Sequence, residues 1–310
     1  MLAVISHDAG GAEILSSYVK ESGAECLFTL EGPAVKIFER KLGKLVLCSL
    51  ETSIERADLV ICGTSWQSDL ECDAIKLARK KNKFSVAYLD HWVNYEARFL
   101  RSGEASLPDE IWIGDSWGKA LADKIFPDIP VLLKPNPYFT EVLEELSRAS
   151  MLNNGAQYDK SKLNFLYVCE PISEHAQLRY GNTHHWGYIE QEAMIFFLES
   201  VKQIENHLGD IVFRLHPSET VGKYDDLLLG FDLPIRISAE STLLEDIAKC
   251  HVVVGCESMA MVIALMAGKK VASSIPVGGK TCALPHDGII KLNGLAKEDL
   301  QNWFIEGCKV

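Results

Sequence analysis

The sequence predicts an α/β protein with two Rossmann-like domains facing a central cleft. Three observations predict it. Short β-rich apolar runs alternate with helical patterns, as in βαβ units around a parallel sheet. The rhythm halts at two closely spaced prolines, Pro135 and Pro137, and restarts at Leu163. Polar residues and glycines gather just after the strand-like runs, where open α/β sheets bind ligands.

The elements follow in order. Leu2–Ser6 is a strand, and His7-Asp8-Ala9-Gly10-Gly11 leads into a helix through Val19. Glu25–Thr29 and Lys44–Cys48 are the next apolar runs. Asp58–Cys62 is a buried strand, followed by Gly63-Thr64-Ser65-Trp66. An amphipathic helix over Asp69–Lys81 precedes the strand Phe84–Leu89. Asp109–Ile113, a helix from Ser116 and Val131–Leu133 complete the first half. The prolines of Lys134–Tyr138 then break the pattern. Domain one is placed at 1–138 and a linker of charged helix (Thr140–Arg148) and polar loop at 139–162. Domain two, at 163–310, opens with the strand Leu163–Cys169, a long polar loop from Glu170 to Trp186 and a helix over Tyr188–Leu208. Asp210–Leu215, Ile235–Ile237, His251–Val254, Lys270–Ala272 and Gly288–Lys291 read as strands. Thr242–Lys249, Ser258–Ala267 and Ala296–Ile305 read as helices, the second apolar nearly all round.

Composition narrows the function classes. At 310 residues, 47% hydrophobic and 24% charged, the chain can bury two cores without staples. Its 31 Lys and Arg against 43 Asp and Glu leave a net charge of −12, which argues against nucleic-acid partners. A local anion pocket stays compatible with that charge. The nine cysteines form no CxxC pair and read as small hydrophobes in a reducing compartment, with no metal expected. No basic leader precedes His7 and Asp8, and the longest apolar stretch, Met259–Ala267, is far short of a membrane span. The expectation is a cytoplasmic protein, with a peripheral place at the inner membrane face left open.

The strand ends supply the candidate chemistry. His216-Pro217 ends one strand, delivering an imidazole that can donate to a phosphate. Glu257-Ser258 joins a buried strand to an apolar helix, where free N–H groups favour an anion, or where either residue is only a cap. Gly10 and Gly11 let backbone approach a ligand, and His7 or Asp8 is a base candidate or a helix cap. Asp90 and His91, ringed by Tyr88, Trp92 and Tyr95, suit sugar binding and proton transfer. Glu170 is placed to reach a ribose, and Gly278-Gly279-Lys280 either sets an ammonium on a phosphate or is a plain turn. The loop through Thr183-His184-His185-Trp186 is a lid candidate.

Together, Arg214-x-His216-Pro217-x-Glu219, then Ser241 through Ile247-Ala248-Lys249-Cys250-His251-Val252-Val253-Val254-Gly255, then Glu257-Ser258 and Ala267-Gly268-Lys269-Lys270-Val271 form a pattern. It resembles the donor half of GT-B glycosyltransferases, in particular the His-Pro enzymes of bacterial surface polysaccharides, of sialyl, Kdo and CDP-glycerol type. The resemblance covers about the last hundred residues, and the first half shares only the architecture. It implies that His216 and Ser258 hold the phosphates of a nucleotide-sugar and that a glycan or small-molecule acceptor binds the first domain. Glu257-Ser258 stands where those enzymes have a double serine, and an acidic triplet of the sialyltransferases is absent. The expected function is therefore glycosyl transfer without a metal or other cofactor. A nucleotide-sugar 2-epimerase or hydrolase on the same fold is the alternative, and a non-catalytic nucleotide-sugar binder or scaffold is a third.

Overall fold

The computed structural model describes residues 1–65, 68–153 and 162–306. Trp66, Cys308 and most of the polar loop read at 153–162 lie outside the described residues. The chain divides into two units, Met1–Glu141 and Val142–Val310.

The first unit runs β1 (Leu2–Ser6), α1 (Ala9–Ser22), β2 (Cys26–Leu30), α2 (Pro33–Leu42), α3 (Leu50–Arg56), β3 (Leu59–Cys62), α4 (Leu70–Lys80) and β4 (Phe84–Leu89). Then come α5 (Tyr95–Phe99), the hairpin β5 (Leu100–Arg101) and β6 (Glu104–Ala105), β7 (Glu110–Ile113), α6 (Ser116–Ile125) and β8 (Val131–Leu133). Six of the strands form a parallel sheet in the order β2-β1-β3-β4-β7-β8. Alternation along β1 shows why it is buried on both sides. Ala3 and Ile5 face a core with Val60, Ile75 and Ile111, whereas Leu2 and Val4 face another with Leu15, Phe38 and Ile61.

Helix α7 (Pro137–Asn153) carries the chain past the boundary between the units. The second unit then runs β9 (Leu163–Val168), α8 (Ile172–Tyr180), α9 (Glu190–Val201), β10 (Leu208–Arg214), α10 (Asp225–Leu229), β11 (Ile235–Ile237), α11 (Leu243–Lys249) and β12 (Val252–Gly255). It closes with α12 (Met259–Met266), β13 (Lys270–Ser273), β14 (Ile289–Lys291) and α13 (Lys297–Ile305). Its parallel sheet has the order β11-β10-β9-β12-β13-β14. Phe165, Tyr167, Phe197 and Phe213 stack at the centre of one core.

Four expectations change. Pro137 starts a helix where a break was expected, because a proline at the first helical position forfeits no intrahelical bond. Asn136 Oδ1 accepts the Tyr138 N–H at 3.1 Å and so satisfies an early donor of that helix. The long polar loop from Glu170 to Trp186 is mostly α8, whose buried side is only Ile172 and Ala176, one turn apart. The helix expected over Tyr188–Leu208 is shorter, with α9 giving way to a 3₁₀ segment, Lys202–His207. The Lys44–Cys48 run forms no strand: Leu47 makes a single bridge to Phe28, and Val46 is 85% exposed.

Candidate functional site

In the first unit the strand order reverses between β1 and β3, so the crevice of a doubly wound sheet opens at the ends of these strands. His7 and Asp8 leave β1 there. Asp8 Oδ1 lies 2.7 Å from His7 Nδ1, an arrangement that directs the imidazole proton to Nδ1 and leaves Nε2 as an acceptor. Gly32, at φ 53°, makes room for this ring, since a Cβ there would sit 2.7 Å from Nε2. Asp90, at the end of β4, reaches the same place. Its Oδ1 accepts from Arg98 at 2.5 Å and from Thr64 Oγ1 at 3.3 Å, and Arg98 also donates to Thr64 Oγ1 at 2.8 Å. Its Oδ2 lies against Gly10, where a Cβ would come within 1.9 Å. Gly10 thus admits the Asp90 carboxylate, and Gly11 admits Gly63, whose Cα would be 3.1 Å from an added Cβ.

Two members of this cluster were missed in the sequence. Arg98, 6% exposed, sits in the aromatic run after Asp90 and pins that carboxylate. Glu71, 3% exposed, accepts the His7 N–H through Oε1 at 2.8 Å, and its Oε2 is buried without a partner. Burial pushes the Glu71 carboxyl up to about 7, against the pull of the His7 N–H. A signal was present: Glu71 is in helical register with Ala74, Ile75 and Ala78, so it stands on the inward side of α4.

His91 Nδ1 accepts the N–H of Trp92 at 2.9 Å, and His91 lines a small pocket with Asp90, Trp92, Asp115, Asn136 and Phe139. The Trp92 indole donates to Asp115 Oδ2 at 2.8 Å, which fixes one wall.

In the second unit the order reverses between β9 and β12. Glu170, just past β9, turns its Oε1 to the N–H groups of Cys256 at 2.8 Å and Glu257 at 2.9 Å. Burial raises its carboxyl to about 7, although these N–H bonds oppose the rise. Ser258 caps α12 by accepting the Ala260 N–H at 3.2 Å. Glu257 pairs with Lys280 and accepts the Ala283 N–H at 3.2 Å. The Lys280 ammonium also lies over the Trp186 ring, 4.4 Å from its centre. Thus two N–H groups read as an anion site hold a carboxylate of the chain itself.

His216 ends β10. Its N–H donates to Glu219 Oε2 at 2.9 Å, and its Nδ1 meets Ser218 Oγ at 2.7 Å and the Ser218 N–H at 3.2 Å. An Nδ1 that accepts places the proton on Nε2, a neutral donor. Burial lowers the His216 pKa, which favours that neutral form. Pro217 is exposed in the turn beside it. The turn is anchored by Lys223, which pairs with Glu190 at 2.7 Å, Glu174 at 2.8 Å and Glu219 at 3.0 Å. Burial alone would depress this lysine, but the carboxylates outweigh it and hold its pKa above the ordinary range. Arg214 is bound to Asp246 at 2.9 Å and to the Ser241 carbonyl at 2.7 Å. The motif residues therefore wire the turns that present His216. Among the described residues, no group of three or more His, Cys, Asp or Glu is arranged to hold a metal ion.

No family model and no curated protein matches the chain. Solved structures do. The UDP-GlcNAc 2-epimerase of Neisseria meningitidis, bound to UDP-GlcNAc, is similar over 100% of this chain and 94% of that one, with a TM-score of 0.62 and 13% identity. A Listeria monocytogenes protein assigned as a UDP-N-acetylglucosamine 2-epimerase is similar over 97% and 86%, with a TM-score of 0.60 and 14% identity. The glycotransferase of kitacinnamycin is similar over 100% and 90%, with a TM-score of 0.56 and 10% identity. The chain has a GT-B-like fold. Nucleotide-sugar epimerases and glycosyltransferases share it. No described helix is long and apolar enough to cross a membrane.

Proposed function

We propose that the protein is an enzyme acting on nucleotide-sugars as a 2-epimerase or hydrolase. The observation that carries this reading is the acid–base cluster of the first unit. His7–Asp8, Asp90–Arg98 and buried Glu71 converge on one switch point. Inversion at C2 of a sugar takes a proton from one face and returns it on the other, so it needs two groups of this kind. Asp8 and His7 form one candidate couple, and the Oδ2 of Asp90 is the other. His91 is retained as a polar contact for the sugar. In the second unit His216 Nε2 donates to the diphosphate with Ser258 as a further contact, and the Oε2 of Glu170 accepts from a ribose hydroxyl. Pro217 shapes the turn, and Glu257 with Lys280 closes the rim. The fold likeness to the Neisseria epimerase supports the same reading.

Glycosyl transfer to a glycan or small acceptor is the second reading, supported by the likeness to the kitacinnamycin enzyme. NMR of UDP-N-acetylglucosamine incubated with the protein in D₂O decides between them. Conversion without an acceptor, with deuterium entering at C2, is the expected result for an epimerase. A donor that stays intact until a glycan acceptor is added overturns the epimerase reading.

A further inference from the structure

Around the His216 turn and the β12–α12 turn, the nearby cations are already paired. Arg214 is held by Asp246, Lys280 by Glu257, and Lys223 by Glu174, Glu190 and Glu219. Two backbone N–H groups of the β12–α12 turn are taken by Glu170. A dianionic group bound here must find its donors elsewhere, because an unpaired phosphate among these carboxylates would be repelled. Beside the His216 turn, two imidazoles lie together. His175, exposed on α8, has its ring centre 6.4 Å from that of His216, the planes at 83°. Neither ring nitrogen of His175 takes a hydrogen-bond partner among the described residues, while His216 keeps Nε2 as a donor.

We propose that His175 and His216 together form a phosphate clamp, and that His175 is a direct binding residue for a nucleotide phosphate. This rests on the nucleotide-sugar reading for its biological ligand, but the clamp is a property of the two rings. At this spacing two N–H groups reach two oxygens of one phosphoryl group. The bound dianion would also favour protonation of both rings, relieving their mutual repulsion. At His216, burial opposes protonation, Glu219 and Glu174 favour it, His175 and Lys223 oppose it, and Ser218 holds its Nδ1.

The experiment titrates the ring C–H signals of both histidines by NMR, first with inorganic phosphate and then with UDP, from pH 8 to pH 6. The expected result is that both ligands shift both rings and that UDP affinity rises as pH falls. In His175→Ala, UDP affinity should drop about tenfold and the pH dependence should flatten, as loss of a single charge-assisted hydrogen bond predicts. His175→Gln, which keeps a neutral donor, should regain part of the affinity without the pH dependence. His207→Ala, an exposed histidine on the 3₁₀ segment before β10, serves as the control and should behave as the parent. Shifts confined to His216, or unchanged UDP affinity and pH slope in His175→Ala, overturn the clamp. If phosphate moves both rings and UDP binds no better than phosphate, the clamp stands and the nucleotide-sugar reading falls.

Discussion

The two units solve the same problem with different sheets. The first has the strand order 2-1-3 at its reversal, as in flavodoxin-like sheets, and the second, counted within the unit, has 3-2-1-4-5-6. Yet each fills its crevice with a carboxylate of its own. Glu71 takes the His7 N–H in one, and Glu170 takes those of Cys256 and Glu257 in the other. Both are driven to about 7 by burial. The difference lies in what surrounds them. In the first unit, acids and bases sit together with a single arginine. In the second, arginine and lysines are neutralised around a histidine turn. The lesson is that a switch point need not offer its backbone N–H groups to a ligand. In the proposed function, side chains then carry recognition, and the two units divide proton chemistry from phosphate binding.

The largest effect should come from breaking the ion pair of the first unit. Arg98→Ala leaves Asp90 almost buried without its cation, and urea unfolding should show a loss of about 3–5 kcal/mol. Next, Lys223→Met strands three carboxylates in the second unit. We expect a loss of about 3 kcal/mol by the same measurement, with disorder of the His216 turn visible in hydrogen exchange. If Lys223→Met proves as stable as the parent, the contrast between the units loses its basis. Third, His216→Ala should weaken UDP binding about 10–100-fold by calorimetry, the worth of a hydrogen bond to a charged phosphate. Asp90→Asn should instead spare UDP binding and reduce turnover.

The smallest effect concerns the two raised carboxyls. Each binds a proton more tightly in the folded chain than in the unfolded chain. Their contribution is therefore fully present below pH 4.5, the ordinary value, and is lost as pH rises through about 7. Glu71→Gln and Glu170→Gln keep an acceptor for the N–H groups and remove the titration. Thermal unfolding should show each variant flattened between pH 4.5 and pH 7 and slightly more stable than the parent at pH 8. A flattening in only one of them would show that the two crevices are not equivalent.

Much of the architecture was legible. Runs such as Val60-Ile61-Cys62 and Val252-Val253-Val254 announce strands covered on both faces, and glycines and polar residues mark their ends. The framework of the His-Pro turn was legible as a local pattern, since Arg214 and Glu219 stand within three residues of His216, and Arg214 reaches the Ser241 carbonyl while Glu219 takes the His216 N–H. What escaped were partners far apart in sequence. Glu170 to Cys256 spans 86 residues and His7 to Glu71 spans 64, and local periodicity carries no record of either. Short polar α8 escaped because it is anchored by Lys223 through Glu174 rather than by an apolar stripe.

The parallel sheets bear on how the chain acquires its structure. Among the described residues the only antiparallel pairing is the small β5–β6 hairpin, so each neighbour in the main sheets is reached through a crossover. β9 is flanked by β10 and by β12, whose Val252 aligns with Phe165. Closing that pairing costs loop entropy before contacts repay it. On the ribosome, β1 can join β2 and β3 early, whereas β9 must wait for residues 252–254 to be made before its second edge is covered. During that interval the exposed edge of Leu163–Val168 is the place where a nascent chain would find a wrong partner, and where a chaperone would be of most use.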